Sequence, residues 1–485
     1  LYKERIKSAI LVLLVLNCLQ LMGQIWFNNK KLWPSGYNFF NSIQNTKLTN
    51  ALKSLFPLSD GKQIDKPYLS TVRPSKIVLS SGNARDVYHP GEEKYDSAYL
   101  QVDRIFESLT SSQSVRTSTM SVSDFNTLLQ GKSVYLSFGF SLDPSSLSEA
   151  FKKNFTSVLP GGFNVSDIII TGDTLTKESI VCMLDSSANS AVKFFVDYRG
   201  DEIIKYIDSS TFGKSQDKVF AFELKLDRPL KDAKIVQRIL LDSRVLLSIE
   251  DEEFETFEVL NPLESDTSSF DNIVSALGYT PSVLRKSVAQ DGTASYVENS
   301  ATIRISPAGV VEYSAVETEK GIPLQNGMYA PYLAVSQVTK IAEQIFSAAG
   351  VEHLTDLHLV SDLKASEDEY IIKMNYTYGG LPVISQLNAE GVKNALYAKV
   401  ERGYITAFKL LIRTFGKPGE NAVLGPCITG GTKIGALDML VQQIGREETL
   451  EIQEVFKCYN SQTDISSPVW GFKIKGMEDI VLIKN

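Results

Sequence analysis

Residues 6–27, IKSAILVLLVLNCLQLMGQIWF, are the most strongly apolar stretch of the chain and constrain it more than any other feature. As a helix rising about 1.5 Å per residue, this run reaches roughly 33 Å, enough to cross a hydrocarbon core of about 30 Å. A cleaved signal peptide is the rival reading, but the run is too long and no small-x-small site follows it. A lipoprotein signal at Cys18 fails because Asn17 stands where a small residue is needed. Trp26, Phe27 and Trp33 suit the interface level. The expectation is a single retained transmembrane helix. Lys3, Arg5 and Lys7, with the amino terminus, compete with Lys30 and Lys31 and favour a cytoplasmic N-terminus with the bulk of the chain extracytoplasmic.

The anchor is not uniformly apolar. Asn17, Gln20 and Gln24 fall at i, i+3 and i+7 and share one helix face. Amides facing lipid lack partners, whereas amides facing a second helix hydrogen-bond across the interface. These three residues are the expected partner-helix contacts. Interfacial water is the competing partner, within reach of Gln24 but not of Asn17 near mid-bilayer.

Charge divides the chain in the same place. Residues 1–33 hold Lys3, Arg5, Lys7, Lys30 and Lys31 against Glu4, a local +4. With a total of −8, the remainder carries −12, which argues against nucleic acid as a partner. Only three His and four Cys are present, little material for a metal or redox centre.

The organisation read from pattern is α+β. Residues 1–5 are a cytoplasmic tail, 6–27 the anchor, and 28–70 a polar stalk or linker. Residues 71–265 read as an N-terminal extracytoplasmic mixed α/β domain. There 75–81 and 133–140 are strands, 94–109 is a helix, and 167–172, 179–187 and 191–200 form an antiparallel set. Two helix-on-antiparallel-sheet modules follow, 266–394 and 395–485. In the first, Val335, Val338, Ala342 and Ile345 make a helical stripe; in the second, Ile434, Leu437, Val441 and Ile444 repeat it at an offset of 99. A hairpin turning at Gly309 precedes one helix, and a hairpin at Gly403 the other. Alternating strands follow each helix, Tyr370 to Tyr378 in the first and Trp470 to Ile474 in the second.

Motifs of chemistry are absent. His353 and His358 are five apart, which fits neither a helical zinc pair nor one face of a strand, and read as structural or surface residues. GPCITGGTK (425–433) has its lysine one residue late for a phosphate loop and reads as a turn, with Thr432 as a helix N-cap. The acidic run at 250–258 reads as a solvated segment near a domain boundary. The glycosylation triplets at Asn154, Asn164 and Asn375 occur at chance frequency. Spacing alone does not establish a disulfide between Cys427 and Cys458. The expectation is a non-enzyme with no catalytic, cofactor-binding or metal residues and no cofactor.

The basic tail running into KSAILVLLVLNCLQLMGQIWF resembles the opening of the YycH family. A more specific likeness lies at 270–316, with Val283-Leu284-Arg285, Tyr296, Ile303-Arg304-Ile305, Gly309 and Glu312-Tyr313 in order. YIIKMNYTYGGLPVI (370–384) is similar to the Tyr-rich strand and Gly-Leu-Pro-Val turn of YycI and PepSY-like modules. The resemblance implies a membrane-anchored signal-transduction regulator of a Gram-positive cell-wall two-component system. Its implied partners are the sensor histidine kinase (YycG/WalK-like) and a YycI-like protein, met through transmembrane and extracytoplasmic contacts. The alternative is a PepSY-like envelope binding module or peptidase inhibitor independent of the kinase.

Overall fold

The protein is described by a computed structural model. It covers residues 72–485 except 113–114, 174, 211–217, 228–238, 249–252, 265–266, 325–330, 352–355, 364–367, 386, 388–389, 417–426, 430–431, 445–448, 462–465, 478 and 484–485. The anchor with Asn17, Gln20 and Gln24, the stalk, and His353 lie outside the described residues. No described helix is long and apolar enough to cross a membrane.

The N-terminal part contains β1 (Lys76–Ser81), β2 (Arg85–Tyr88), α1 (Glu93–Ser111), β3 (Arg116–Met120), α2 (Val122–Leu128), β4 (Lys132–Leu142), α3 (Pro144–Phe151), β5 (Val165–Gly172), β6 (Glu178–Asp185), β7 (Ser190–Arg199) and α4 (Gly200–Ser209). Its seven strands form one antiparallel sheet in the order β2-β1-β4-β5-β6-β7-β3. The strands expected at 75–81, 133–140 and 167–200 are all present. Both faces are covered. Period-two alternation sends Ile77, Leu79, Leu136 and Ile168 to the face shared with α1 and α4, and Val78, Tyr135 and Ile169 to the face shared with Phe125 of α2. Helix α1 buries Tyr95, Ala98, Val102, Ile105, Phe106 and Leu109, spaced by three or four residues as one apolar stripe requires.

The rest of the chain contributes β8 (Lys218–Phe220), β9 (Ile239–Leu241), β10 (Leu246–Ser248), β11 (Glu253–Glu255), β12 (Glu258–Leu260), α5 (Phe270–Ala276), β13 (Arg285–Val288), β14 (Ala294–Val297), β15 (Ala301–Ile305), β16 (Val310–Ala315), β17 (Ile322–Pro323) and α6 (Pro331–Ala348). After these come β18 (Leu357–Leu359), β19 (Glu369–Tyr378), β20 (Leu381–Ile384), β21 (Leu396–Glu401), β22 (Tyr404–Leu411), β23 (Thr414–Gly416), β24 (Cys427–Thr429), α7 (Lys433–Ile444), β25 (Leu450–Asn460), β26 (Ser467–Ile474) and β27 (Val481–Ile483). A 14-stranded sheet runs β13-β14-β15-β16-β22-β21-β19-β20-β25-β26-β27, with β17, β18 and β9 paired beside it. The described chain is thus mixed α+β, with seven α-helices and two large, mainly antiparallel sheets.

Both expected hairpins form. At the first, Gly309 has φ +84°, a conformation that L side chains rarely adopt, so glycine makes the turn. The second hairpin, β21–β22, sits between β16 and β19, so both hairpins lie in one sheet. Helix α6 buries Ala334, Val335, Val338, Ala342 and Ile345, while α7 buries Ala436, Leu437 and Leu440. Ile434 is 37% exposed, against its place in the sequence-derived stripe. Ala334, Val335 and Val338 therefore correspond to Ala436, Leu437 and Leu440 at an offset of 102. A three-residue difference keeps apolar residues on the same side of a helix to within a fraction of a turn, which is why 99 also matched.

The acidic run at 250–258 is only partly a surface segment. Phe257 is fully buried, its ring centroid 4.0 Å from that of Tyr378, 4.9 Å from Phe415 and 4.8 Å from Tyr459. Burial of such a ring is worth about 2 kcal/mol, enough to hold the flanking strands β11 and β12 against β24 and β23. Residues 242–248 in turn cover the N-terminal sheet through a buried ion pair. Tyr135 donates to Asp167 Oδ1 at 2.6 Å, and Arg244 Nη1 donates to Asp167 Oδ2 at 2.6 Å. Burial opposes the Arg244 charge, and Asp167 and then Asp242 more than restore it, so its pKa is raised.

Candidate functional site

A cavity of about 690 Å³ lies where the two sheets meet. Strand periodicity builds its walls. On β19, Tyr370, Ile372, Met374 and Tyr376 enter the core, so Lys373, Asn375 and Thr377 of the opposite face line the cavity. Strand β18 pairs His358 with Asn375 and brings it to the same wall. Opposite stand Lys76 of β1, His89 after β2, and the Phe138–Gly139 bend of β4. The two halves meet at a close contact: Gly380, with φ +80°, would place a Cβ 2.1 Å from the Pro90 carbonyl oxygen. The glycine of the Gly-Leu-Pro-Val turn is thus required by backbone packing as well as by its dihedral angle.

The wall is cationic. Lys76, Lys218, Lys373, Lys393, Lys433, Lys457 and Lys473 line it, against Glu92, Asp362, Glu454 and Asp479. Lys76 Nζ lies 3.0 Å from Glu454 Oε1, and Lys393 Nζ 3.1 Å from Asp479. Lys473 donates to the Gly139 carbonyl at 3.2 Å and Lys433 to the Leu246 carbonyl at 3.0 Å, so three strands and α7 are tied across the space. Burial raises the Glu454 pKa, but Lys76, then Lys473 and Lys433, reverse this and hold the carboxyl below its ordinary value.

Both described histidines face this field uncharged. Burial, then Lys433, Lys76 and Lys457, lowers the His89 pKa to about 4; its Nδ1 is 3.4 Å from the Ser75 carbonyl oxygen. Burial, then Arg73, lowers that of His358 to about 3. His358 packs beside Phe140, and neither ring nitrogen has a hydrogen-bond partner among the described residues. Of the structural and surface readings that the spacing left open, burial rules out the surface one.

The other sequence candidates are dispersed. Asn375 is 1% exposed, and its Oδ1 accepts from Asn394 Nδ2 at 3.1 Å. Thr432 Oγ1 accepts from the Gly435 amide at 2.9 Å, the N-cap expected for α7. Cys458 is a buried thiol that points at the Val469 carbonyl. Among the described residues no three His, Cys, Asp or Glu side chains group as metal ligands. The cavity itself escaped the sequence reading because its lysines come from separate segments between residues 76 and 473. The one local signal was the Lys-Asn-Thr alternation opposite the tyrosines of β19.

These features define a two-sheet α+β scaffold whose N-terminal and C-terminal halves share a polar cavity. The fold is similar to that of the crystal structure of YycH from Bacillus subtilis, with a TM-score of 0.53 and 13% identity over 86% of this chain and 97% of that one. The chain therefore has a YycH-like fold. A crystal structure of an uncharacterized protein from Eubacterium rectale reaches a TM-score of only 0.28 at 10% identity, over 53% of this chain and 92% of that one, and defines nothing further. No family model and no curated protein matches the sequence.

Proposed function

We propose that this chain is a membrane-anchored extracytoplasmic regulator of a cell-wall two-component sensor histidine kinase, acting by contact and not by catalysis. The observation that carries the reading is the YycH-like fold over 86% of the chain, behind an apolar run long enough to span a bilayer. Residues 6–27 would anchor it with the N-terminus cytoplasmic, 28–70 would lead out of the membrane, and the described residues would lie outside the cell. A regulator of this kind needs only different contacts with two kinase states, and about 1–3 kcal/mol of coupling suffices. Asn17, Gln20 and Gln24 would provide that contact within the membrane, beside a YycI-like partner.

The test is in-cell photocrosslinking from positions 17, 20 and 24, with the captured protein identified by mass spectrometry. Capture of the sensor kinase is the expected result, and co-purification of the kinase with the protein should weaken when all three residues are changed to Leu. Capture of lipid or of the protein itself alone sinks the reading, and capture of a peptidase favours an envelope binding module.

A further inference from the structure

We propose that the cavity between the two sheets binds a small molecule carrying two or more anionic groups, phosphate or carboxylate, beside an apolar portion. This goes beyond the regulatory reading and does not rest on it.

Charge is the first argument. Among the described residues seven lysines and four carboxylates line the cavity, an excess of three positive charges in a chain whose net charge is −8. Six of the seven lysines are half-buried, Lys393 being the exposed one. Like charges converging on a concave, partly desolvated wall repel one another and concentrate anions there. The four carboxylates already serve the scaffold. Glu454 holds Lys76, Asp479 holds Lys393, Asp362 accepts from the Ser141 amide at 2.5 Å, and Glu92 accepts from the His89 amide at 2.9 Å. The carbonyls of Gly139 and Leu246 orient Lys473 and Lys433 across the space.

Shape and composition supply the second argument. About 690 Å³ lies within the usual range for small-molecule sites, roughly 300–1,000 Å³, and is too small for a folded partner. Phe138, Leu246, Pro382, Ile384 and Ile480 give the wall an apolar part, and the Asn394–Asn375 amide pair adds oriented polar groups. His89, also on the wall, has its pKa lowered first by burial and then by Lys433, Lys76 and Lys457. Because the lysines belong to both halves of the protein, a bound polyanion would bridge them.

The test uses the full-length chain in neutral detergent, titrated calorimetrically with tripolyphosphate and, separately, with citrate. Saturable one-to-one binding of either is expected; the stronger of the two assigns phosphate or carboxylate. Affinity should fall at least tenfold in the double variant Lys433→Gln/Lys473→Gln and stay within twofold in Lys152→Gln/Lys205→Gln, whose lysines lie elsewhere. Failure of both anions to saturate, or equal losses in the two double variants, overturns the proposal. Should the cavity variant fail to fold, acetylation of the unaltered protein decides. Lys457 should be shielded by the bound anion while Lys205 is not, and equal modification of both with and without anion rejects the site.

Discussion

Lowering the pH from 7.5 to 5.0 should strip the protein of stability through two histidines before its carboxylates begin to matter. His89 and His358 have pKa values of about 4 and about 3 in the folded chain, against 6.5 for an ordinary histidine. The unfolded chain thus binds more protons than the folded one throughout this window. The contribution of each neutral ring is fully present above pH 6.5 and is lost as pH falls toward its folded pKa. At pH 5.0 the loss is about 2 kcal/mol per histidine and about 4 kcal/mol for the pair, at roughly 1.4 kcal/mol per pH unit. Asp185, Glu401 and Glu454 have pKa values held below their ordinary ones, so their contribution is lost only at lower pH. Urea unfolding of the full-length chain at pH 7.5, 6.5 and 5.0 measures the effect. His358→Phe keeps a ring beside Phe140 and removes two nitrogens that lack partners among the described residues. It should gain about 1–3 kcal/mol at pH 7.5 and halve the acid loss. Equal acid losses in parent and variant, or a flat profile in the parent, would refute the reasoning.

Two further outcomes follow from packing. Gly380→Ala should cost about 1–3 kcal/mol, since its Cβ meets the Pro90 carbonyl at 2.1 Å and its φ is +80°, and thermal denaturation reads this directly. Arg244→Met leaves Asp167 buried without its cation and should cost about 3–5 kcal/mol in urea unfolding, with partial recovery when Asp167→Asn is added.

Local structure was the legible part of this chain. The α1 stripe from Tyr95 to Leu109, the alternation of β19 and the glycine hairpins at 309 and 403 are written in neighbouring residues, where period and turn chemistry operate. What escaped was set by partners distant in sequence. Ile434 looked like a core residue because its own helix pattern permits two stripes, and only the packing of α7 against β10 and β27 chooses between them. Phe257 was hidden among carboxylates, although three aromatic rings from residues 378, 415 and 459 enclose it. The cavity is the extreme case: Lys76 and Glu454 meet at 3.0 Å across 378 positions, and no motif spans such a distance.

The parallel pairing of Ile239–Leu241 with Leu450–Ile452 imposes an order of events on the newly made chain. Leu241, Val245 and Leu247 share a core with Leu450 and Ile452, which are translated about two hundred residues later. At roughly 5–20 residues per second, that interval is on the order of 10–40 s. For that time an apolar edge waits for its neighbour, and contacts of such long range are slow to close. The protein therefore has a built-in period of exposure during synthesis, ended only when its last sheet strands arrive.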